Sequence, residues 1–430
     1  MDDDRLYEEV RYELKDLKKV ILVGTYQSGE KEVCTDYLKE LAALSETYGF
    51  EVLDSICCPL RKIDAGTYLG KGKLEELAIL ANELEADVII FDDEISPNQQ
   101  RGIEKFFRKP VIDRTELILE VFAQRAQTKE ACLQIELAKT RYQLPRLKRL
   151  WTHLSRQSAG GGAYLKGEGE KQIEIDRRLL KKRIHELHGQ IDEVRKNRST
   201  QRAQRQRTGI PTFAIVGYTN AGKSTLLNRF TSAGVLAENK LFATLDTTTR
   251  RMHLPNHQEI LVIDTVGFIR KTPTMLIAAF KSTLEESLFT DILLHVVDVS
   301  HPKALEQAES TLEVLHELGI EHKPIITVLN KIDQCEDQSM VYRFKVKYPQ
   351  TVTISAQTGE GILELMDLMI DTLKTLRSVY HLRIPQSHYP LVSELMKEGR
   401  VIEHDYEEND IVMTVDIPKR LEHKVKEFIV

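Results

Sequence analysis

Gly217-Tyr218-Thr219-Asn220-Ala221-Gly222-Lys223-Ser224 reads as Gly, four residues, Gly, Lys, Ser, and its flanks decide the fold it belongs to. Ahead of it, Phe213-Ala214-Ile215-Val216 is a short apolar run of the kind that forms a buried strand. After it, Thr225-Leu226-Leu227-Asn228-Arg229-Phe230 reads as the first turns of a helix. A strand, a glycine-bearing turn and a helix in that order let consecutive backbone N–H groups face phosphate oxygens, with the positive helix end behind them. Lys223 would bridge the terminal phosphates, and the Ser224 hydroxyl would take one ligand position on Mg²⁺. A glycine-rich turn that matches by chance is the competing reading, and the flanks leave it about one chance in ten.

Three downstream elements name the base. Ile260-Leu261-Val262-Ile263 is apolar and ends in Asp264-Thr265-Val266-Gly267, where a P-loop protein places a metal-side carboxylate and a glycine N–H that meets the γ-phosphate. Ile325-Ile326-Thr327-Val328-Leu329 ends in Asn330-Lys331-Ile332-Asp333. A carboxylate at Asp333 accepts from the guanine N1–H and exocyclic amine, and adenine would leave it unpaired; such sites discriminate by roughly 10⁴-fold. Val352-Thr353-Ile354 leads into Ser355-Ala356-Gln357, where a backbone N–H would meet guanine O6. Four elements in order, each at the end of a strand pattern, indicate a guanine-nucleotide site.

Between the P-loop and Asp264 lies Leu241-Phe242-Ala243-Thr244-Leu245-Asp246-Thr247-Thr248-Thr249. A GTPase needs a movable threonine here to complete Mg²⁺ coordination, and spacing alone does not choose among the four. Phe268 follows Gly267 where many GTPases carry a water-orienting glutamine, so slow intrinsic hydrolysis, or a polar group borrowed from elsewhere, is expected. Asn220 is one source, through a bound K⁺ that brings positive charge to the β- and γ-phosphates, as in several bacterial GTPases with this Asn; turn geometry is its plainer role.

With these residues in place, the chain resembles the HflX family of translation-factor-class GTPases. The carriers are GYTNAGKS at 217–224, FATLD at 242–246, DTVGF at 264–268, NKID at 330–333 and SAQ at 355–357. More specific ones lie upstream: Gln134-Ile135-Glu136-Leu137-Ala138, Trp151-Thr152-His153-Leu154, Gly160-Gly161-Gly162, Gly167-Glu168-Gly169-Glu170 and Asp176-Arg177-Arg178-Leu179-Leu180. The likeness covers roughly residues 15–375. It implies that FATLD is the first switch, which favours Thr244 as the metal ligand beside Ser224. Lys223, Thr244, Gly267 and Asn220 are then the groups expected to act on the γ-phosphate. It also implies binding to the large ribosomal subunit and, in some members, splitting of stalled or idle ribosomes.

At 430 residues the chain is too long for one ordinary core and should hold three or four units. Its 41% hydrophobic and 29% charged residues describe a soluble globular protein. No apolar run reaches the ~18 residues a membrane span needs, and the acidic start Met1-Asp2-Asp3-Asp4 is unlike a signal peptide. Five scattered cysteines, two of them adjacent as Cys57-Cys58, suggest neither a disulfide nor a zinc framework. A cytoplasmic monomer is expected, with peripheral membrane association as an alternative location. The net charge of −6 hides an asymmetry: from Lys139 to Ile210 there are 19 Lys and Arg against 7 Asp and Glu, a local +12 that leaves −18 for the rest. A basic arm on an acidic body suits docking on a phosphate backbone.

The expected architecture is multidomain α/β. Residues 1–112 form a small α/β domain, with strands at Val20-Ile21-Leu22-Val23 and Val88-Ile89-Ile90-Phe91 and a helix over 74–84. In it Gly24-Thr25-Tyr26-Gln27-Ser28-Gly29-Glu30-Lys31 imitates a P-loop but lacks a following Ser or Thr, so a βα turn is preferred to a second nucleotide site. Residues 113–208 form a long antiparallel helical hairpin. Ile173, Leu180, Ile184, Leu187, Ile191 and Val194 recur at 7, 4, 3, 4 and 3, an a/d seam for a partner helix carrying Leu133 and Leu137. Its tip is rich in glycine and holds Arg156, Gln157, Tyr164 and Lys166, suited to RNA contact; a partnerless surface loop is the plainer reading. Residues 209–377 form the P-loop GTPase domain and 378–430 a small α+β appendage. Two other functions stay open: an RNA remodeller driven by a weak N-terminal ATP site, and a nucleotide-gated scaffold with little turnover.

Overall fold

The computed structural model describes residues 18–147, 168–207, 210–231, 241–242, 248–271, 289–320, 323–407 and 409–430. Its chain divides into two compact units: 1–194 with 238–246 and 271–280, and 195–237 with 247–270 and 281–430.

The first unit is built on a four-stranded parallel sheet in the order β2-β1-β3-β4. Its strands are β1 (Lys19–Tyr26), β2 (Glu51–Pro59), β3 (Val88–Phe91) and β4 (Val111–Asp113). Every residue of β3 is buried, as a strand covered on both faces requires. Helix α1 (Lys31–Tyr48) buries Leu38, Leu41 and Leu44; α2 (Lys71–Glu83) and α3 (Pro97–Phe107) contribute Leu74, Leu77, Ile103 and Phe107 to a separate core cluster with Ile21, Val23 and Ile89. Helix α3 starts at a reciprocal cap, with the Ser96 and Gln99 side chains each bound to the other's backbone. Gly24 belongs to β1 and α1 starts at Lys31, with a tight turn between them in which Glu30 N–H donates to Gln27 O.

Helix α4 (Arg114–Arg125) leads into α5 (Lys129–Gln143), and after them comes the 40-residue helix α6 (Glu168–Arg207). Leu133 and Leu137 of α5 form one apolar cluster with Leu187 and Ile191 of α6, against which Ile184 and Val194 pack. This is the seam read from the spacing, reinforced by the Glu136–Arg183 ion pair at 2.7 Å. Pro145 sits in a short 3₁₀ turn just after α5. In the same unit the Phe122 and Phe242 rings meet edge to face with centroids 4.5 Å apart. The tip residues Arg156, Gln157, Tyr164 and Lys166 lie outside the described residues.

The second unit holds a six-stranded sheet in the order β10-β9-β8-β5-β7-β6. The strands are β5 (Thr212–Gly217), β6 (Thr248–His253), β7 (Glu259–Asp264), β8 (Ile292–Asp298), β9 (Ile325–Asn330) and β10 (Thr351–Thr353). All pairings are parallel except β6 with β7, whose antiparallel register sets Thr248 opposite Asp264. Helices α7 (Lys223–Thr231) and α10 (Ile362–Thr375) share one core cluster with Phe213, Ile215, Leu294 and Val328. Helices α8 (Ala304–Glu317) and α9 (Gln338–Lys347) contribute Ala304, Ala308, Val341 and Phe344 to another, around Val297 and Leu329.

A three-stranded antiparallel sheet follows, in the order β11-β13-β12. It comprises β11 (Arg377–Pro385), β12 (Arg400–Glu407) and β13 (Asp410–Pro418), with α11 (Tyr389–Glu398) and the one-turn α12 (Glu422–Val425) closing a core of Leu382, Ile384, Leu395, Met413 and Val415. The chain is thus multidomain α/β with a small antiparallel C-terminal sheet. No described helix is long and apolar enough to cross a membrane.

Candidate functional site

The C-terminal ends of β5, β7, β8 and β9 converge on the P-loop, the position at which open parallel sheets bind ligands. Within the loop, Tyr218, Thr219, Ala221 and Lys223 are buried and Asn220 is exposed. Asn220 adopts φ 60°, a left-handed conformation that Asn tolerates better than most residues, so turn geometry accounts for its presence. Gly222 has φ +95°, and a Cβ there would lie 2.1 Å from Asn330 Nδ2. No larger residue fits that position.

Asn330 is the reason for that crowding. It is 2% exposed; its Nδ2 donates to Ala221 O at 2.8 Å and its Oδ1 accepts from Ala356 N at 2.9 Å. One side chain therefore joins the phosphate loop to the loop carrying Ser355, Ala356 and Gln357. Ser355 is fully buried, with Oγ accepting from Thr358 N, and Gln357 is exposed. Ile332 N–H donates to Ile354 O, and the Asp333 carboxylate is exposed on the turn just past it, open to a base.

At the phosphate end Lys223 Nζ donates to Tyr218 O at 2.8 Å and Gly217 O at 3.2 Å. Burial lowers its pKa to about 8, with the Asp264 carboxylate opposing the shift, so it remains largely cationic at neutral pH. Ser224 Oγ donates to Asp264 Oδ2 at 2.9 Å, and Asp264 is fully buried. A hydroxyl beside a carboxylate is the hard, all-oxygen donor set that Mg²⁺ takes, its remaining positions being left to water and phosphate. Thr225 follows, half-buried, in the first turn of α7.

The Asp264-Thr265-Val266-Gly267 segment is laced to the P-loop strand. Thr265 Oγ1 donates to Ile215 O, Phe268 N–H to Gly217 O, and Thr219 N–H to Phe268 O. Val266 is buried. A Cβ on Gly267 would meet Lys223 Nζ and Thr219 Cα, each at 2.8 Å. The glycine lets the backbone approach where the γ-phosphate would sit. Phe268 is 5% exposed, so this position offers no polar side chain to a nucleophilic water. Phe242 is placed in the first unit, and Ala243, Thr244, Leu245 and Asp246 lie outside the described residues.

Three contributors were not anticipated. Asp298, ending β8, pairs with Lys331 at 2.5 Å and steadies the guanine-side turn. Arg229, on the P-loop helix α7, donates to Ala356 O at 3.2 Å and Gln357 O at 2.5 Å. His295 in β8 is fully buried, and neither ring nitrogen has a hydrogen-bond partner among the described residues. Burial, then the Lys223 charge, pushes its pKa down to about 4 and keeps it neutral. Asp298 alone had a sequence signal, as the carboxylate ending an apolar run; Arg229 depends on partners distant in the chain, and His295 on burial that only the folded sheet creates.

Comparison with known proteins adds independent findings. The family model described as "GTP-binding GTPase N-terminal" matches residues 35–123, "GTP-binding GTPase Middle Region" matches 125–205, and "50S ribosome-binding GTPase" matches 212–331. A GTPase HflX from Chlamydia pneumoniae is 47% identical over 419 residues, covering 96% of this chain and 89% of its own. A GTPase HflX from Escherichia coli K12 is 40% identical over 394 residues, 91% of each. A solved GTP-binding protein from Sulfolobus solfataricus in complex with GDP is 26% identical, covers 84% of this chain and all of its own, and superposes with a TM-score of 0.45. The 47% and 40% identity to the two GTPases HflX, over 96% and 91% of this chain, settles descent: the chain belongs to the HflX family of GTPases and is a GTP hydrolase.

Proposed function

We propose that this GTPase works on the ribosome, binding the large subunit in its GTP form through the basic helical arm of residues 113–208 and leaving after hydrolysis. The observation that supports this most is that one chain carries both the Asn330-linked loops and the Ser224–Asp264 pair of a guanine-nucleotide site and, over residues 139–210, a local charge of +12. The family description of the matched G region as a 50S ribosome-binding GTPase points the same way. In this reading the division of labour follows the domain boundaries at 112, 208 and 377. The arm finds rRNA phosphate, its tip with Arg156, Gln157, Tyr164 and Lys166 inserts among bases, and the GTP form is the one the ribosome prefers. Directional cycling, including the splitting or rescue of stalled and idle ribosomes, then requires only that the ribosome bind the GTP form better than the GDP form.

Bound Mg²⁺ would neutralise charge between the β- and γ-phosphates, held by Ser224 and Thr244 with Asp264 behind them. Lys223 steadies the terminal phosphate oxygens and the Gly267 N–H faces the γ-phosphate. Phe268 offers no polar group to orient the attacking water, so intrinsic turnover is slow; the ribosome would supply that group, or a K⁺ held at Asn220 would bring compensating positive charge to the phosphates.

The test is GTP turnover by the full chain, alone and with saturating large subunits, at fixed potassium and salt. Strong stimulation that disappears when residues 156–170 are replaced by a short linker establishes the reading. Tight GTP binding without stimulation moves the weight to a nucleotide-gated scaffold, the reading that the buried Phe268 favours.

A further inference from the structure

Away from the nucleotide site, β1, β2 and α1 bring two cysteines together. Gly24 of β1 pairs in register with Cys57 of β2, and register partners on adjacent parallel strands present their side chains on the same face. On that face Gly24 has no side chain, and Cys34 of α1 fills the space: a Cβ on Gly24 would lie 2.8 Å from Cys34 Sγ. The register and this contact bring the two cysteines together over the bare Cα of Gly24. Thr35 Oγ1 gives its proton to Lys31 O at 3.0 Å and lies 3.6 Å from Cys57 Sγ, which leaves the hydroxyl oxygen to accept from the Cys57 thiol. Cys34 is buried, Cys57 is half-buried and reachable from solvent, and Cys58, on the opposite face, is buried in a different cluster.

We infer that Cys34 and Cys57 are a redox modification site, a dithiol that a hydroperoxide converts to a disulfide stapling the first turn of α1 to β2. The half-exposed Cys57 sulfur attacks the peroxide: the O–O bond breaks, an alcohol or water leaves, and Cys57 becomes a sulfenic acid. Cys34 sulfur then displaces the hydroxyl, the S–S bond forms, and water carries off the oxygen together with the thiol proton. Two thiols lose two electrons and the peroxide gains them. Cys34 is buried away from a dissolved peroxide while Cys57 is reachable, which assigns Cys34 the second step; burial first, then Cys57 and the Asp92 and Asp93 carboxylates, also hold its thiol protonated.

The experiment treats the full chain, folded and with nucleotide bound, with a small excess of hydrogen peroxide, then alkylates and maps the unreduced peptides. The expected result is a linked pair of peptides containing Cys34 and Cys57, two hydrogens lighter than their sum. The link should persist in Cys58→Ser and vanish in Cys57→Ser and Cys34→Ser. The unfolding temperature of the parent should rise by several degrees on oxidation and fall back with dithiothreitol, because the bond closes a loop of about two dozen residues. A link that survives Cys57→Ser overturns the assignment. So does oxidation of Cys57 to the sulfinic acid with Cys34 still free, or five intact thiols after treatment.

Discussion

The Asn330 side chain holds the Ala221 carbonyl with its amide nitrogen at 2.8 Å, across a gap of 109 residues. The same side chain receives Ala356 N–H. Replacing it with Ala leaves a buried carbonyl and a buried N–H unpaired, each costing roughly 1–3 kcal/mol. Asn330→Ala should therefore weaken GDP binding by at least about tenfold, read by titration with a fluorescent guanine nucleotide.

Asp333 is placed to choose the base. Converting its carboxylate to an amide puts a donor where guanine has donors and where xanthine has a carbonyl. Asp333→Asn should lose on the order of 100-fold or more in GTP affinity and gain for xanthosine triphosphate. Competition between the two nucleotides measures the exchange; a variant still preferring GTP would place the base elsewhere.

Gly267→Ala should separate binding from turnover. The new methyl would lie 2.8 Å from both Lys223 Nζ and Thr219 Cα, and the backbone atom cannot yield cheaply. GDP binding should change only a few-fold, while single-turnover hydrolysis should fall by about 10²-fold or more, as for the loss of one donor to developing charge.

His295 links G-domain stability to pH. Its folded pKa, about 4, lies below the ordinary 6.5, so the unfolded chain binds the proton more readily. The stabilising contribution is complete above pH 6.5 and is lost as the pH falls toward 4, up to roughly 3 kcal/mol for a shift of this size. His295→Leu should flatten that slope, with little loss at pH 7.5 because the imidazole nitrogens have no described partner to forfeit. Urea unfolding of parent and variant at pH 7.5, 6 and 5 decides it.

Potassium offers a fourth handle on the site. If Asn220 holds K⁺ during hydrolysis, turnover should drop several-fold when sodium replaces potassium at equal ionic strength, and Asn220→Ala should abolish the difference. Equal rates in both salts leave Asn220 its turn role, which its left-handed φ already explains.

Legibility tracked how locally each feature is encoded. The P-loop, Asp264 and Asn330 were readable because phosphate and base recognition need particular residues at strand ends. The α6 seam was readable because Leu180, Leu187 and Ile191 repeat with the turn of a helix, and all three are buried. Strand β6, Thr-Thr-Arg-Arg-Met-His, was not: at a sheet edge with Met252 its one buried side chain, its backbone pairing leaves no apolar signature. Strand β11 was missed because only Leu382 and Ile384 are fully buried along it, too few for an alternation to stand out. Arg229 with Ala356, and Asp298 with Lys331, are contacts that only the folded sheet creates.

The antiparallel edge formed by β6 has its own consequence. Thr248 and Asp264 are opposite members of one ladder rung. The chain enters that rung directly from the threonine segment that begins at Leu241, and leaves it directly toward Gly267. A pull on either segment is thus felt first at the same place, the carboxylate that holds Ser224. Thr248 and the start of the Asp264–Gly267 stretch thus hang from a single hinge pin, and a shift of β6 at Thr248 would be passed straight to the Ser224 hydroxyl.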